Sequence, residues 1–208
     1  MKLSSSSSAV MDSIDRKIVT MLRRDPYATQ AEIAEELGLS QPSVAARMKR
    51  LKEDDLMLVR VGLDTGRAGL LVGKVEFTAK DPQRVLQKFQ SCPCLIGHLV
   101  TSGRNNMTLF FASEWMTALQ GIVDHHLRGD PEIEDVNFSL VVSGLRELAV
   151  CPALCVERRE ISPCGGICTD CLQYARGGCT GCPATVYYRG SFYTQERGRR
   201  ARALAEGI

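Results

Sequence analysis

The 208-residue chain has no apolar run near the roughly 20 residues that a membrane-spanning helix requires, which excludes a helical membrane protein. It has little net charge either: 26 Lys and Arg stand against 24 Asp and Glu, a balance of +2. Any nucleic-acid binding must therefore come from a local concentration of basic residues and not from the total. The opening MKLSSSSSAV lacks the apolar stretch of about 7–15 residues that marks a secretory signal. Residues 1–10 read as a polar tail, and the chain as a cytoplasmic protein. Also missing are a Ser-His-Asp set, a phosphate-binding loop and a His-based metal motif, so nothing points to hydrolytic or nucleotide chemistry. At about 150 residues per domain, the length excludes a large barrel enzyme and allows two or three small domains.

What the chain has in excess is cysteine. There are nine, and seven of them fall between Cys151 and Cys182. In a reducing compartment such a cluster is more often a metal site than a disulfide framework.

Three segments separate by pattern, and together they predict an α+β chain. Residues 11–62 are helical: apolar positions recur at Ile14, Ile18, Met21 and Leu22, then Ile33, Ala34 and Leu37, then Val44, Met48 and Leu51. Asp12 can cap the first helix, Thr29 with Glu32 forms a capping box for the second, and Ser40 can cap the third, with Pro42 in its opening turn. Gly38 suits the left-handed residue that ends the second helix. Only Gly38, Leu39 and Ser40 separate helices two and three, the short turn of a helix-turn-helix. VRVGLDTGRAG then reads as a linking strand and a turn-rich hinge.

Residues 63–148 change to the order β-α-β-β-α-β, the ferredoxin-like split βαβ. The strands are LLVGKVEFTA, LIGHLVTS, MTLFFAS and VNFSLVVSGL; the helices are DPQRVLQKFQSC and SEWMTALQGIVDHHL. Residues 149–193 form a small cysteine-rich module with too few large apolar side chains for a core of its own, and residues 194–208 a basic tail.

The third helix, QPSVAARMKRLK, carries four basic residues and no acidic one. With Val44, Met48 and Leu51 turned inward, Gln41, Ser43, Arg47 and Arg50 are expected to project outward and contact bases or phosphates of double-stranded promoter DNA. The stretch DSIDRKIVTMLRRDPYATQAEIAEELGLSQPSVAARMKRLKEDDLM resembles the N-terminal domain of the Lrp/AsnC (feast/famine) transcriptional regulators, and the βαββαβ segment resembles their sensing and oligomerisation domain. That resemblance implies a winged helix-turn-helix, a homodimer or higher homo-oligomer, and pseudo-palindromic promoter sites. It also implies a small-molecule effector site at the turn between the second and third strands. Here that turn is Gly103, Arg104, Asn105 and Asn106, with Asn106 where the family has an acidic residue, so a ligand ammonium group would lack its charge partner.

The cysteine cluster lies outside the usual regulator. Cys164, Cys168, Cys171, Cys179 and Cys182 are the candidate metal ligands. CGGICTDC places three thiolates on a tight loop and Cys182 precedes Pro183, as in ferredoxin runs, which favours a four-iron four-sulfur cluster. Zinc competes, because Cys168, Cys171, Cys179 and Cys182 form two C-x2-C pairs. The segment also resembles small cysteine-rich iron–sulfur-type modules of prokaryotes. Cys151 and Cys155, in CPALC, can add ligands or line a hinge. Cys92 and Cys94, in SCPC, read as packing residues, His98 as a strand residue, and His125 with His126 as part of a solvated helix face. Arg197, Arg199, Arg200 and Arg202 of the tail can touch DNA backbone.

The expected function is a non-enzymatic, sequence-specific regulator of Lrp/AsnC type that responds through its metal module to redox state, iron or a small molecule. Two alternatives share the architecture. One is an enzyme resembling siroheme decarboxylases; the other is an iron–sulfur partner protein that does not bind DNA.

Overall fold

The structure, a computed structural model, describes residues 11–59, 62–143 and 152–195. The chain divides into two compact units, one on either side of the Arg60–Val61 bond.

The first unit is three helices: α1 (Ser13–Arg24), α2 (Gln30–Leu37) and α3 (Gln41–Glu53). Their starts follow from side-chain chemistry. Asp12 accepts from the Asp15 amide while Asp15 accepts from that of Asp12, and Thr29 and Glu32 do the same for α2. Each box satisfies two otherwise orphaned amides. Gly38 ends α2 at φ 65°, a left-handed conformation that glycine adopts without steric cost. Ser40 is the N-cap residue of α3, but its side chain makes no capping bond; Pro42 opens the helix instead. Ile18, Ile33, Ala34 and Val44 form the buried centre, ringed by Ile14, Met21, Leu22, Leu37 and Met48.

The second unit begins with a turn from Asp64 to Leu70; of the expected linking strand, Leu63 forms a single bridge and Arg60 and Val61 lie outside the described residues. Then come β1 (Leu71–Ala79), α4 (Pro82–Phe89), β2 (Leu95–Val100), β3 (Met107–Ser113), α5 (Met116–Val123) and β4 (Ile133–Leu140). All neighbours in the sheet β2-β3-β1-β4 are antiparallel, the ferredoxin-like order. The burial alternation of β1 puts Val75, Phe77 and Ala79 on the face covered by α4 and α5. There they meet Val85, Phe89, Leu109, Phe111, Leu119, Val123 and Leu127. Gly73 is needed on that face because a Cβ there would come within 2.7 Å of the Phe138 ring.

Several element ends differ from expectation by a few residues, most clearly at β4 and after α5. Strand β4 starts at Ile133, not Val136, since Ile133 pairs with Ala79 and is buried. Glu134 and Asp135 are exposed and hid that strand in a polar stretch. Helix α5 passes at Asp124–Arg128 into one π turn.

The cysteine-rich segment belongs to this second unit. It holds β5 (Cys155–Val156), a 3-10 turn at Cys168–Asp170, the one-turn helix α6 (Leu172–Ala175) and β6 (Thr194–Gln195), with β5 and β6 parallel. Its buried residues are few: Ala184, Thr185, Tyr188 and Tyr193 among them. Cys151 and the basic tail from residue 196 lie outside the described residues.

Candidate functional site

The face of α3 that points away from the core is Pro42, Ala46, Lys49 and Glu53, all exposed. At about 100° per residue these positions lie opposite Val44 and Leu51. Gln41 is also exposed and Ser43 half-buried. The small side chains near the start of the helix leave its backbone open to close approach by a groove. Arg47 turns back toward α1 instead of projecting outward, and Arg50, although exposed, also reaches α1. Arg47 donates to Asp12 at 2.6 Å and to Asp15 at 2.8 Å, and Arg50 pairs with Asp15. The reason is the helical wheel: Arg47 lies three residues after Val44, close to the buried stripe, where it meets the start of α1.

Asp15 is fully buried. Burial alone would raise its carboxyl pKa, but the Asp12 amide and the two guanidinium groups outweigh that and hold it below the usual range. The amide of Asp15 and the Arg47 side chain likewise lower Asp12 to about 2. Pulling both arginines away would strand a buried carboxylate, so this pair is an anchor between α1 and α3. Lys49 is different: among the described residues its only ion pair is an exposed one with Glu53 at 3.7 Å, worth little, so it can turn to a phosphate at small cost.

The turn at 103–106 closes on itself. The Asn106 carboxamide accepts from the Ala79 amide and donates to the Ala79 carbonyl, both at 2.8 Å. A carboxylate could not make the second bond, which explains an amide here. The Arg104 carbonyl accepts from Thr78 Oγ1 and its guanidinium pairs with Asp135 at 3.2 Å; the Asn105 carbonyl accepts from Thr101. Gly103 is exposed with open space around its Cα. These four residues form the turn between β2 and β3, and their polar groups tie it to Thr78 and Ala79 of β1 and Asp135 of β4. They line neither cavity found among the described residues.

The larger cavity, about 480 Å³, lies against α4, α5 and the cysteine-rich segment. All five candidate ligands line it: Cys164, Cys168, Cys171, Cys179 and Cys182. Two cysteines and two histidines read from the sequence as bystanders line it as well, namely Cys92, Cys94, His125 and His126. Cys92 and Cys94 end up there because α4 stops at Phe89 and the next turn carries the SCPC residues beneath β2. The π turn after α5 sets His125 and His126 side by side on the same wall, a role such turns often have at functional sites. His126 Nε2 lies 3.4 Å from Cys164 Sγ, and His125 Nε2 lies 3.3 Å from Cys171 Sγ. Burial, with Lys88 nearby, keeps the His126 imidazole pKa below its ordinary value and so favours the neutral ring. Cys155 does not line the cavity; it is exposed on β5, 3.1 Å from Thr194 Oγ1.

Glu114, just past β3, clamps the segment in place. One carboxylate oxygen accepts from the amides of Ser191 and Phe192, at 3.0 and 2.9 Å, and from the Ser191 hydroxyl; the other accepts from the Tyr188 hydroxyl. The Tyr193 hydroxyl donates to the Ala112 carbonyl at 3.2 Å, and Arg158 stacks over the Tyr188 ring. Within the segment, Gly181 adopts φ +81° with its Cα against the Tyr187 carbonyl, which tightens the turn between Cys179 and Cys182. Burial raises the thiol pKa values of both these cysteines. A coordinated cation would reverse that, since a metal-bound thiol is deprotonated.

The donors surround a volume and do not converge on a point. Among the described residues, no three Cys, His, Asp or Glu side chains stand at the spacing that holds a single ion. Thiolates about 2.3 Å from one zinc would lie roughly 3.8 Å from each other.

The profile of the winged helix-turn-helix DNA-binding family matches residues 11–56, the three-helix unit just described. The regulatory protein AsnC of Haemophilus influenzae is 22% identical over 129 residues, 60% of this chain and 86% of that protein. Among solved structures, E. coli AsnC superposes with a TM-score of 0.56 at 18% identity over 65% of this chain and 94% of its own. B. subtilis LrpC gives 0.56 at 22% identity, over 65% and 97%. A transcriptional regulator from Neisseria meningitidis, solved with L-Met, gives 0.55 at 18% identity, over 66% and 93%. The chain thus has the α+β fold of these regulators, with a winged helix-turn-helix at its N-terminus. About a third of it has no counterpart in those three structures.

Proposed function

We propose that the chain is a sequence-specific, DNA-binding transcriptional regulator of the Lrp/AsnC type, acting as a homodimer or higher homo-oligomer, whose cysteine-rich segment holds an iron–sulfur cluster. The observation that carries the DNA-binding reading is α3: it follows the short Gly38–Ser40 turn and presents an outward face of small side chains, with Lys49 held only by an exposed pair to Glu53 and able to reach phosphate. Its site is Gln41, Ser43 and Lys49, with Arg47 and Arg50 positioning the helix from its flank. The two-domain fold shared with AsnC and LrpC supports the same reading.

Cys164, Cys168, Cys171, Cys179 and Cys182 are the cluster's candidate ligands, supported by the one cavity they share. When bound, the cluster would supply an oxidisable, iron-dependent link. The chain's own residues would hold it and seal it under Tyr188 and Pro183. Responsiveness is assigned to this cavity because Asn106, at the 103–106 turn, spends both ends of its carboxamide on Ala79 of β1. Losing the cluster would unfasten the segment, a local change of the kind that biases a dimer's DNA geometry.

Gel shift and footprinting with metal-loaded and metal-stripped protein test this. Specific binding to a promoter fragment that changes at least several-fold on stripping is expected. Equal affinity in both states removes the switch. Absence of binding to any genomic fragment, together with decarboxylation of siroheme by the purified chain, would replace the regulator with the enzyme.

A further inference from the structure

Seven cysteines line the cavity, yet two of them do not belong to the cysteine-rich segment. Cys92 and Cys94 sit on the ferredoxin-like scaffold, buried, and hydrogen-bond to each other. Cys182 lies within electrostatic reach of Cys92, Cys164 and Cys168. Cys92 lies within reach of Cys164, and Cys94 within reach of Cys182. Cys179 has Cys171 and Cys168 as its neighbours. On the cavity wall Cys164 stands 3.4 Å from His126 and Cys171 3.3 Å from His125, while Cys92 and Cys94 face the same space from the scaffold side.

We propose that the SCPC turn is part of the metal site: Cys92 joins Cys164, Cys168 and Cys182 as the fourth thiolate of the centre, and Cys94 is its hydrogen-bonding neighbour. Four thiolates are the usual complement of a four-iron cluster. Two alternatives fit less well. A packing role for both cysteines would not place them on the wall of a thiol-lined cavity. A cluster held only by the segment's own five cysteines would leave a buried thiol facing its ligands without a task.

The assignment rests on the metal-centre reading above and goes beyond it, because it makes the metal a direct bond between the segment and the scaffold that carries the sheet. It also gives Glu114 a purpose, since its clamp on residues 188–192 holds the segment's far end while Cys92 holds the near one. Cys171 and Cys179, with His125, would then stand beside the centre on the same cavity wall.

The test is iron and zinc per chain, with the visible spectrum, for anaerobically purified wild type, C92S, C94S and C155S, the last at an exposed cysteine outside the cavity. C92S is expected to lose at least half of the bound metal, as a segment ligand such as Cys164 does in C164S, while C94S and C155S stay near wild type. Because a buried serine can disturb folding, the wild type supplies a second readout. Alkylation mapped by mass spectrometry should show Cys92 protected together with Cys164 and Cys182 and becoming reactive with them when the metal is stripped. Wild-type metal content in C92S, or Cys92 labelling that ignores metal while Cys164 and Cys182 respond, overturns the assignment and leaves the metal centre standing. Wild-type protein free of iron and zinc overturns both.

Discussion

The three-helix unit and the cysteine-rich segment solve the same problem of stability in opposite ways. The first has reciprocal capping boxes, a small apolar centre and a buried carboxylate tied by two arginines. Its information is local, carried by residues three or four apart and by one face of each helix. The second has almost no regular structure, few buried apolar residues and a ring of sulfurs facing a cavity. It leans on a neighbouring sheet through Glu114, Tyr188 and Tyr193. The difference teaches where each can fail: the helices by losing a side chain, the segment by losing whatever occupies the cavity.

The sharpest way to break the comparison is to strip the metal. Residues 152–195 should become protease-sensitive within the intact chain while the α1–α3 region stays resistant, because a structural metal supplies on the order of 10 kcal/mol to a small domain that lacks a core. Equal protection of both regions after chelation would erase the contrast. Next in size is Asp15→Ala, which removes the buried acceptor of Arg47 and Arg50. Those arginines are partly exposed and can rehydrate, so urea denaturation should show a loss of about 2–3 kcal/mol, below the cost of stranding a fully buried charge. Glu114→Ala leaves two amides and the Tyr188 hydroxyl without their acceptor; about 2 kcal/mol should be lost, with cleavage appearing first near residues 188–193.

A smaller effect concerns acid. A carboxylate whose folded pKa is depressed contributes stability that is fully present above its unfolded value of roughly 3.9 and disappears as pH falls through the folded one. Asp12, held at about 2, should therefore keep its bonds to Arg47 through mild acid and lose them only near that pH. Carboxyl NMR of Asp12 checks this; a midpoint at the ordinary value would contradict it. Smallest in stability is Lys49→Ala, expected within about 0.5 kcal/mol of wild type yet lowering the slope of log affinity against log salt for DNA by about one. Arg47→Ala should do the reverse, costing stability first.

Most of the fold was legible because its signals are short-ranged. Asp12, Thr29, Glu32 and Gly38 marked helix ends, and the alternation in β1 named its core face. The polar start of β4 was missed because Ile133 alone faces inward beside exposed Glu134 and Asp135. The orientation of Arg47 could have been read from its position near Val44 on the wheel. The wall of the cavity could not. Cys92 and Cys94 are some 70 residues from Cys164, and the placement of His126 depends on a π turn, so no spacing rule connects them. Their signal was only the Cys-Pro-Cys turn at a helix end and a paired histidine, each more often structural than not.

The central claim is that the segment unlike the AsnC-type regulators is organised by metal. Metal content and visible absorption of the anaerobically purified full chain test it most directly. The account predicts stoichiometric iron with a broad visible band that vanishes on chelation; a colourless protein carrying neither iron nor zinc, with residues 152–195 still folded, would contradict it.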